Sequence, residues 1–453
     1  MKSAREETAS SAAPPAAQHL VQIEKPVYGG AFLARLEGKA VFVPLVLPGE
    51  PVRLRIVRSK SGHATAEAEE IVRAAPERIA PACPHFGLCG GCHYQHTGYA
   101  TQLGFKEAIL RETLERGGVC APAEIGILAG QPETQAWGYR NRVRLAFDAD
   151  GNPGYRSRRS HTVVPLRACP IAAPLLVETA QAFAELARGF AAGIGPRELT
   201  LFCNSTETAL LVAVSTANPP TSQFDEMAKA LLQRIPALRG LELAAEGNRD
   251  EQPQTLARWG AGSLDYRAAS FDYRVDQGAF FQVNRWLVDA LVNRVVAGQG
   301  GALAWDLFAG VGLFARQLTT SFERVVAVES ASAARAALEA NLRGTAGEAV
   351  AAETLAFLRG SRRLNSGGFA RPDFVVPDLI VLDPPRSGLG AESCARLAEI
   401  AAPNAVYVSC DPATLARDLR ALTSSVYRID SITLADLFPQ TYHLETVVQL
   451  RRC

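Results

Sequence analysis

Apolar runs recur at regular intervals through the C-terminal half of the chain, and helical patterns separate them. The runs that predict buried strands are residues 302–308, 324–329, 379–383 and 405–410. Strands that alternate with helices are typical of a parallel, doubly wound sheet with Rossmann-like topology. We therefore predict an α/β domain over residues 271–453, to which we also assign the helical stretch within residues 99–124.

The N-terminal pattern is different, because short apolar strands alternate there with turn residues. Residues 41–44 and 52–57 read as strands, and the second places Arg53 and Arg55 opposite its apolar side chains. This pattern predicts a small five-stranded β-barrel of the oligonucleotide-binding (OB-like) type over residues 19–75. Its basic face is either an ordinary solvated strand face or a surface that binds RNA.

The region between these two parts mixes both patterns. Residues 178–188 and 224–232 have helical periodicity, with a strand-like run between them. We therefore predict an α+β central domain made of residues 76–98 and 125–270.

Composition and charge restrict the partners and the cellular location that we expect for the protein. The chain has 453 residues, with 47 Lys and Arg against 46 Asp and Glu, so bulk charge alone does not indicate a nucleic-acid partner. No apolar run approaches the 18 residues of a membrane-spanning helix. Residues 1–18 are rich in Ala, Ser and Pro and have no apolar core of the kind that a secretory signal needs. We expect a disordered tail on a cytoplasmic, monomeric protein.

Candidate chemistry begins at the turn after the first predicted strand of the α/β domain. Asp306 is followed there by Gly310 and Gly312, and Glu329 ends the next strand. A carboxylate in that position can accept hydrogen bonds from both hydroxyls of a ribose, so the pattern predicts a nucleoside cofactor. Residues 310–315 also satisfy the relaxed dinucleotide fingerprint, and this turn alone leaves a nicotinamide-dependent dehydrogenase open.

Two further strand ends open on the same crevice, where open α/β sheets bind ligands. Asp383 ends one strand and is followed by Pro384 and Pro385, while Cys410 ends the next. A lone cysteine is often a buried structural thiol, but this position favours Cys410 as a nucleophile. Glu445 begins a later apolar strand, and by itself a glutamate in this position is more often an exposed strand-end charge than a catalytic base.

Four cysteines outside this α/β domain are candidate ligands of a metal ion or an iron–sulfur cluster. Cys83, Cys89 and Cys92 lie in one Gly-rich loop, and Cys169 is a fourth candidate. Nine cysteines in a chain without a secretory signal point to metal ligation or catalysis rather than disulfides. Four thiolates can hold zinc or an iron–sulfur cluster. The wide first spacing and the lack of a second close pair disfavour a zinc ribbon.

Together the motifs identify a family. From about residue 23 to the C-terminus the chain resembles the RNA uracil-5-methyltransferases, in particular the bacterial 23S ribosomal RNA branch. The motifs that carry the resemblance are Phe280-Phe281-Gln282-Val283-Asn284, Asp306-Leu307-Phe308-Ala309-Gly310-Val311-Gly312, Asp383-Pro384-Pro385-Arg386, Ser409-Cys410-Asp411-Pro412 and His443-Leu444-Glu445-Thr446-Val447-Val448.

The resemblance implies a role for each matching residue. Cys410 is the expected nucleophile and Glu445 the expected base. The expected contacts of S-adenosylmethionine are Gln282, Phe308, Leu313, Glu329, Thr354 and Asp383. Leu313 and Thr354 depart from the common form of the family, which often has polar Asn at the first of these positions. The resemblance also implies a [4Fe-4S] cluster on Cys83, Cys89, Cys92 and Cys169, and a barrel of the TRAM type.

A basic stretch in the central region is the candidate RNA surface. Residues 139–167 contain seven Arg against two Asp, which fits either a solvated basic hairpin or a phosphate-binding surface. A base modified at C5 must leave its stack, so single-stranded or loop RNA is the expected substrate form. The resemblance favours 23S rRNA, while the residues themselves leave transfer RNA, or a non-catalytic RNA-binding protein, open.

Overall fold

The structure is a computed structural model and describes residues 18–216, 223–245, 254–361 and 375–453. The chain forms two compact units, which divide between Arg78 and Ile79. Of the expected tail, residues 1–17 lie outside the described residues, and Gln18 already begins a strand. None of the described helices is long and apolar enough to span a bilayer.

The first unit is a closed five-stranded barrel, as predicted. Its strands are β1 (Gln18–Val27), β2 (Ala31–Leu36), β3 (Lys39–Pro44), β4 (Pro51–Ser59) and β5 (His63–Ile71). They close in the order β1-β2-β3-β5-β4. Alternation along each strand sends one set of side chains inward, and Phe32, Val41, Val43 and Leu54 are buried there.

The basic face of β4 is neutralised by its neighbour in the barrel. Arg53 pairs with Glu70, and Arg55 pairs with both Glu67 and Glu69 on β5. These arginines point outward, as the alternation predicts. However, cross-strand carboxylates compensate their charges, so β4 does not present a net positive strip at these two positions.

The second unit begins with the cysteine loop, which we define as residues 83–92. It is followed by helix α1 (Tyr99–Arg116) and a short strand, β6 (Gly126–Leu128). Next comes a seven-stranded sheet built from β7 (Arg142–Phe147), β8 (Pro153–Arg156), β9 (Val163–Pro165), β10 (Pro196–Cys203), β11 (Leu210–Thr216), β12 (Leu238–Ala245) and β13 (Thr255–Gly260). Helices α2 (Pro174–Ile194) and α3 (Phe224–Arg234) cover it, which confirms the two helices predicted in this region.

A β-hairpin leads into the C-terminal sheet. It consists of β14 (Ser263–Ala268) and β15 (Phe271–Asp276). Alternate residues of both strands are buried, including Tyr266 and Tyr273. These two tyrosines belong to the same apolar core as the first strands of the C-terminal sheet, so the hairpin is packed against that sheet.

The C-terminal sheet has eight strands in the order β18-β17-β16-β19-β20-β22-β21-β6. Beyond β6, its strands are β16 (Gly301–Leu307), β17 (Phe322–Glu329), β18 (Gly347–Ala351), β19 (Leu379–Leu382), β20 (Asn404–Ser409), β21 (Tyr427–Ala435) and β22 (Glu445–Arg452). The accompanying helices are α4 (Val288–Val296), α5 (Leu313–Leu318), α6 (Ser332–Leu342), α7 (Thr354–Gly360), α8 (Gly390–Ile400) and α9 (Pro412–Thr423).

The four predicted buried strands are confirmed as β16, β17, β19 and β20, and they run parallel. Parallel strands end at the same edge of a sheet, which brings the residues after Leu307, Leu382 and Ser409 together. The antiparallel strand β22 pairs with β20 and begins where β20 ends, because Ser409 lies opposite Thr446. Glu445 therefore reaches the same edge from the opposite direction.

Candidate active site

Cys410 lies in the tight connection between β20 and α9. Asp411 caps the helix, since its side chain accepts hydrogen bonds at 3.0 Å from the amides of Ala413 and Thr414. Such caps fix the entry angle of the chain into a helix. The strand end and the capped helix together hold the half-buried Cys410 at the edge that Glu445 also reaches.

Three ionisable groups at this edge influence one another. Burial and the nearby Glu445 and Asp383 carboxylates raise the pKa of the Cys410 thiol to about 11, and Arg386 opposes that shift. Burial raises the pKa of Asp383 to about 7. The pKa of Glu445 is also well above its ordinary range, because the carboxylate is buried and faces the charge of Asp383. Displaced pKa values of this kind are typical of proton-transfer sites.

Arg386 is the cation of this site. Its Nη2 lies 3.2 Å from Nδ1 of His443, and its carbonyl accepts a 3.0 Å hydrogen bond from the Thr414 hydroxyl. Burial and the charge of Arg386 lower the pKa of His443 to about 3, so the imidazole is neutral at physiological pH. A neutral ring nitrogen can accept the guanidinium hydrogen bond and hold Arg386 beside the two carboxylates.

The glycine turn after β16 is organised by two carboxylates. The Gly310 amide donates a 2.8 Å hydrogen bond to one oxygen of Glu329, and the Ala331 amide donates to the other. Asp306 is fully buried and accepts a 2.8 Å hydrogen bond from the Ala315 amide, while its second oxygen has no partner among the described residues. Burial and the charges of Asp383 and Glu329 raise the pKa of Asp306 to about 8.

Left-handed backbone shapes the same turn. Phe308 has φ +67° and Gly312 has φ +88°, a region that costs a non-glycine residue strain and is common at functional sites. Leu313 is buried, and its carbonyl accepts a 2.9 Å hydrogen bond from the Tyr273 hydroxyl. The cofactor-contact hypothesis for Leu313 therefore concerns its amide or side chain, because its carbonyl is already bonded.

The two remaining cofactor candidates are buried residues on other parts of the chain. Thr354 is buried at the first position of α7, which follows β18. Gln282 is buried, and its carbonyl accepts a 2.9 Å hydrogen bond from the Asn141 side chain. Asn141 also donates to the Tyr266 hydroxyl, so the residue that directly precedes β7 joins the irregular segment with Gln282 to the hairpin.

The four candidate cysteine ligands line one cavity of about 170 Å³, although the loop and Cys169 are far apart in sequence. Burial is the largest cause of the raised pKa values of these thiols, which reach about 11 for Cys89 and about 12 for Cys92. The Gly91 amide lies 3.3 Å from the sulfur of Cys89, and Arg140 also lines the cavity. Among the described residues, no three metal-ligating side chains converge on a single ion position.

This cavity has room for a group larger than a single ion, bound through the four cysteine sulfurs. The thiols surround a space instead of meeting at a point, and a peptide amide and a guanidinium can offset the charge of four thiolates. The other lining side chains include Phe86, Leu166 and Ile171, which keep the space apolar.

The arginines of the candidate RNA stretch do not all lie on one surface. Arg144 pairs with Glu198, and Arg142 donates to the Ala279 carbonyl while its guanidinium lies 4.0 Å from the Phe202 ring centre. Arg140 lines the cysteine cavity. Three of the seven arginines therefore make contacts within the protein. The four others lie on or beside the β8–β9 hairpin, namely Arg156, Arg158, Arg159 and Arg167.

The sequence did not single out Arg386 or His443 as site residues, although both lie within the recognised motifs. A cation beside two buried carboxylates can be expected only once those carboxylates are known to meet. The sequence indicated these two residues only by their position, because each lies within three residues of Asp383 or Glu445.

Comparisons with known proteins agree on one family. The sequence model described as tRNA (Uracil-5-)-methyltransferase matches residues 258–453. The 23S rRNA (uracil(1939)-C(5))-methyltransferase of Halomonas elongata is 31% identical, with 93% of this chain and 87% of the relative covered. An RNA methyltransferase of Thermotoga maritima is 30% identical, with 95% and 98% covered.

A solved structure is similar over nearly the whole chain. It is the Pyrococcus abyssi tRNA (uracil-54, C5)-methyltransferase in complex with S-adenosyl-L-homocysteine, with a TM-score of 0.73 and 24% identity. The match covers 95% of this chain and 100% of that one. This likeness shows that the two proteins share a fold.

Proposed function

Since this chain belongs to the RNA uracil-5-methyltransferase family and is an RNA uracil-C5 methyltransferase, we propose that it methylates a uridine of 23S rRNA. S-adenosylmethionine is the proposed methyl donor, and Cys410 forms a transient covalent bond to the base. The observation that carries the mechanism is the meeting of Cys410, Asp383 and Glu445 at one sheet edge, with mutually displaced pKa values.

Cys410 supplies the activation that the uracil ring lacks. C5 of uracil is too weak a nucleophile to attack a methyl donor, and addition of a thiolate at C6 turns C5 into an enolate carbon. The thiol must lose its proton first, because its pKa is about 11. The ionised Asp383 carboxylate, whose charge acts on this thiol, is the proposed acceptor, and Glu445 stays ionised for the later step.

Glu445 completes the reaction. After methylation, C5 carries both the new methyl group and its original hydrogen, so the thiolate cannot leave until that proton is removed. A buried carboxylate with a raised pKa is a stronger base than an exposed one, and Glu445 has that character. Loss of the C5 proton to Glu445 restores the double bond and expels Cys410.

The electrostatics of the glycine turn favour S-adenosylmethionine over a dinucleotide. The Gly310 amide, which a pyrophosphate would need, is bonded to Glu329. The carboxylates of Glu329 and Asp383 make the potential beside the buried Asp306 negative, which disfavours two phosphates and suits a sulfonium cation. Both Glu329 oxygens keep a second lone pair for ribose hydroxyls. A nicotinamide-dependent dehydrogenase is therefore the weaker candidate.

We also propose that Cys83, Cys89, Cys92 and Cys169 hold a [4Fe-4S] cluster. The shared cavity of these thiols, its apolar lining and the neighbouring amide and guanidinium support this assignment over a single zinc ion. When bound, the cluster cross-links the cysteine loop to the segment with Cys169. The proposed central domain is residues 76–98 with 125–270, and the proposed methyltransferase domain is residues 99–124 with 271–453. Two strands cross this division, because β6 belongs to the C-terminal sheet and β14 pairs with β15.

Ribosomal RNA is the proposed substrate because three relatives of 31% to 32% identity are named 23S rRNA (uracil(1939)-C(5))-methyltransferase. The test is incubation of the purified protein with methyl-labelled S-adenosylmethionine and either unmodified 23S rRNA or unmodified tRNA, followed by mass mapping of 5-methyluridine. We expect one labelled uridine in 23S rRNA, and its loss from the rRNA of a deletion strain. Labelling of tRNA alone would overturn the rRNA assignment, and no labelling of either would overturn the function.

A further inference from the structure

The segment that leads to Glu445 is held from outside the C-terminal sheet. Residues 436–444 connect β21 to β22, and their backbone carbonyls accept hydrogen bonds from distant elements. The donors are Asn284 to Leu437 at 2.9 Å, Lys106 to Phe438 at 2.9 Å, Tyr139 to Pro439 at 3.0 Å, and the backbone amides of His93 and Tyr94 to Gln440 at 2.8 and 3.1 Å. The last two donors directly follow Cys92.

Gln102 on α1 is the side chain that joins the two sides of this arrangement. Its Nε2 donates to the carbonyls of Tyr94 and Thr97 at 3.2 and 3.0 Å, and to Oε1 of Gln440 at 2.9 Å. Its Oε1 accepts a 2.9 Å hydrogen bond from the backbone amide of Gln440. Gln102 and Gln440 are both buried, where a lost partner leaves a costly unsatisfied group.

Gln440 needs such support because of its backbone. Its φ is +68°, in the left-handed region that a residue with a Cβ adopts only under external constraint. The paired amides of Gln102 and Gln440 provide that constraint. The chain direction set at Gln440 then determines where His443 meets Arg386 and where β22 begins at Glu445.

We propose that Gln102 is a positioning residue for Glu445. It ties the chain after Cys92 to the segment 436–444, and so fixes the carboxylate that removes the C5 proton. This inference rests on the function proposed above and goes beyond it, because it assigns a role in the reaction to a residue on a helix outside the catalytic motifs.

The proposal predicts which step is sensitive. Removal of a proton requires a base within hydrogen-bond reach of it, whereas Cys410 and Asp383 follow β20 and β19 and do not belong to segment 436–444. If segment 436–444 loosens, the early steps continue and elimination slows. The methylated covalent adduct between protein and RNA then accumulates.

The test is Gln102→Leu, which keeps the approximate size of the side chain and removes every hydrogen bond. We expect kcat to fall about 10- to 100-fold, with the KM for S-adenosylmethionine changed less than about twofold. We also expect a methyl-labelled protein–RNA band on a denaturing gel. Gln102→Met removes the same hydrogen bonds with an unbranched side chain and should accumulate the same adduct. It decides the question if Gln102→Leu does not fold.

The control is Leu231→Ala, which destabilises the buried core under α3 without touching segment 436–444. Adduct in the Gln102 variants but not in this control supports the positioning role. No adduct in a folded Gln102 variant, or equal adduct in Leu231→Ala, overturns it. If the wild-type protein forms no 5-methyluridine, the proposed function itself has failed, which is a distinct result.

Discussion

The Gly310 amide donates a 2.8 Å hydrogen bond to Glu329, the last residue of the neighbouring strand β17. One carboxylate thereby ties the glycine turn after β16 to the strand end where a ribose is expected. The turn and the ribose site are therefore a single unit, and a change at Glu329 affects both.

Glu329→Ala should weaken S-adenosylmethionine binding by about 1.5–3 kcal/mol, the value of hydrogen bonds to a charged group. Isothermal titration calorimetry measures this directly. Glu348→Ala is the matched control, because Glu348 is an exposed carboxylate on the adjacent strand β18 and pairs with Arg324. Unchanged affinity in Glu329→Ala, or tighter binding of NAD than of S-adenosylmethionine by the wild type, would favour the dehydrogenase.

Cys410→Ala should abolish formation of 5-methyluridine while the protein stays folded, because no other thiol follows a strand end at this edge among the described residues. The measurement is methyl incorporation into RNA, with circular dichroism as the check on folding. Cys120→Ala, at an exposed thiol, should keep full activity. A normal yield from Cys410→Ala would remove the nucleophile assignment.

Glu445→Gln should trap the reaction after methyl transfer. Gln has nearly the size of Glu but cannot accept a proton at neutral pH, so Cys410 still adds and the methyl group still moves. The expected product is a methyl-labelled protein–RNA adduct that survives a denaturing gel. Glu399→Gln, at a partly exposed carboxylate of α8, should turn over normally. A folded Glu445→Gln protein without the labelled band would require another base, near Asp383 or Asp411.

The rate of 5-methyluridine formation should rise with pH and level off above about 7. The pKa of Asp383 is raised to about 7 and that of Glu445 is raised with it, so the pair holds an extra proton below that pH. Only the ionised pair can accept the thiol proton and the C5 proton, which is why activity increases as the pair ionises.

Single-turnover rates between pH 5.5 and about 9 test this pH dependence. The alternative is that ionisation of the Cys410 thiol, and not of the carboxylate pair, sets the pH dependence. If free ionisation of Cys410 limited the reaction, the rate would keep rising toward the thiol pKa of about 11. A rate that rises without a plateau across this range would therefore exclude the carboxylate pair as the proton acceptor.

Protein purified without oxygen should be brown and contain about four irons per chain, as expected for a cubane cluster on four thiolates. Cys89→Ser removes one of the thiols that line the cavity and should lose both colour and iron. Cys120→Ser should retain both, because its thiol is exposed and does not line that cavity. Stoichiometric zinc without iron in the wild-type protein would contradict the cluster.

Local pattern was sufficient for much of this protein. The alternation of apolar strands and helices determined the parallel sheet, because each strand must bury both faces under helices. The spacing of Asp306, Gly310, Gly312 and Glu329 predicted a cofactor turn, because glycines allow a close ligand approach and the carboxylate that ends the next strand can accept hydrogen bonds from a ribose. Strand ends located Asp383 and Cys410 at one edge before any contact was known.

Tertiary structure decided everything that depends on pairing between distant segments. The antiparallel insertion of β22 beside β20 makes Glu445 a buried partner of Asp383 rather than an exposed strand end. The glutamates of β5 cancel the charges of Arg53 and Arg55, although alternation alone predicted a basic face.

The contact between Gln102 and Gln440 shows most clearly what local sequence patterns do not predict. It lies 338 residues from Gln440 in the chain, yet the two amides pair. No local periodicity encodes such a contact, because a side chain hydrogen bond depends on where the fold brings the two partners and on whether water is excluded there. The sequence by itself determined which chemical groups line the sheet edge, and the packing of remote segments decided their protonation and their positions.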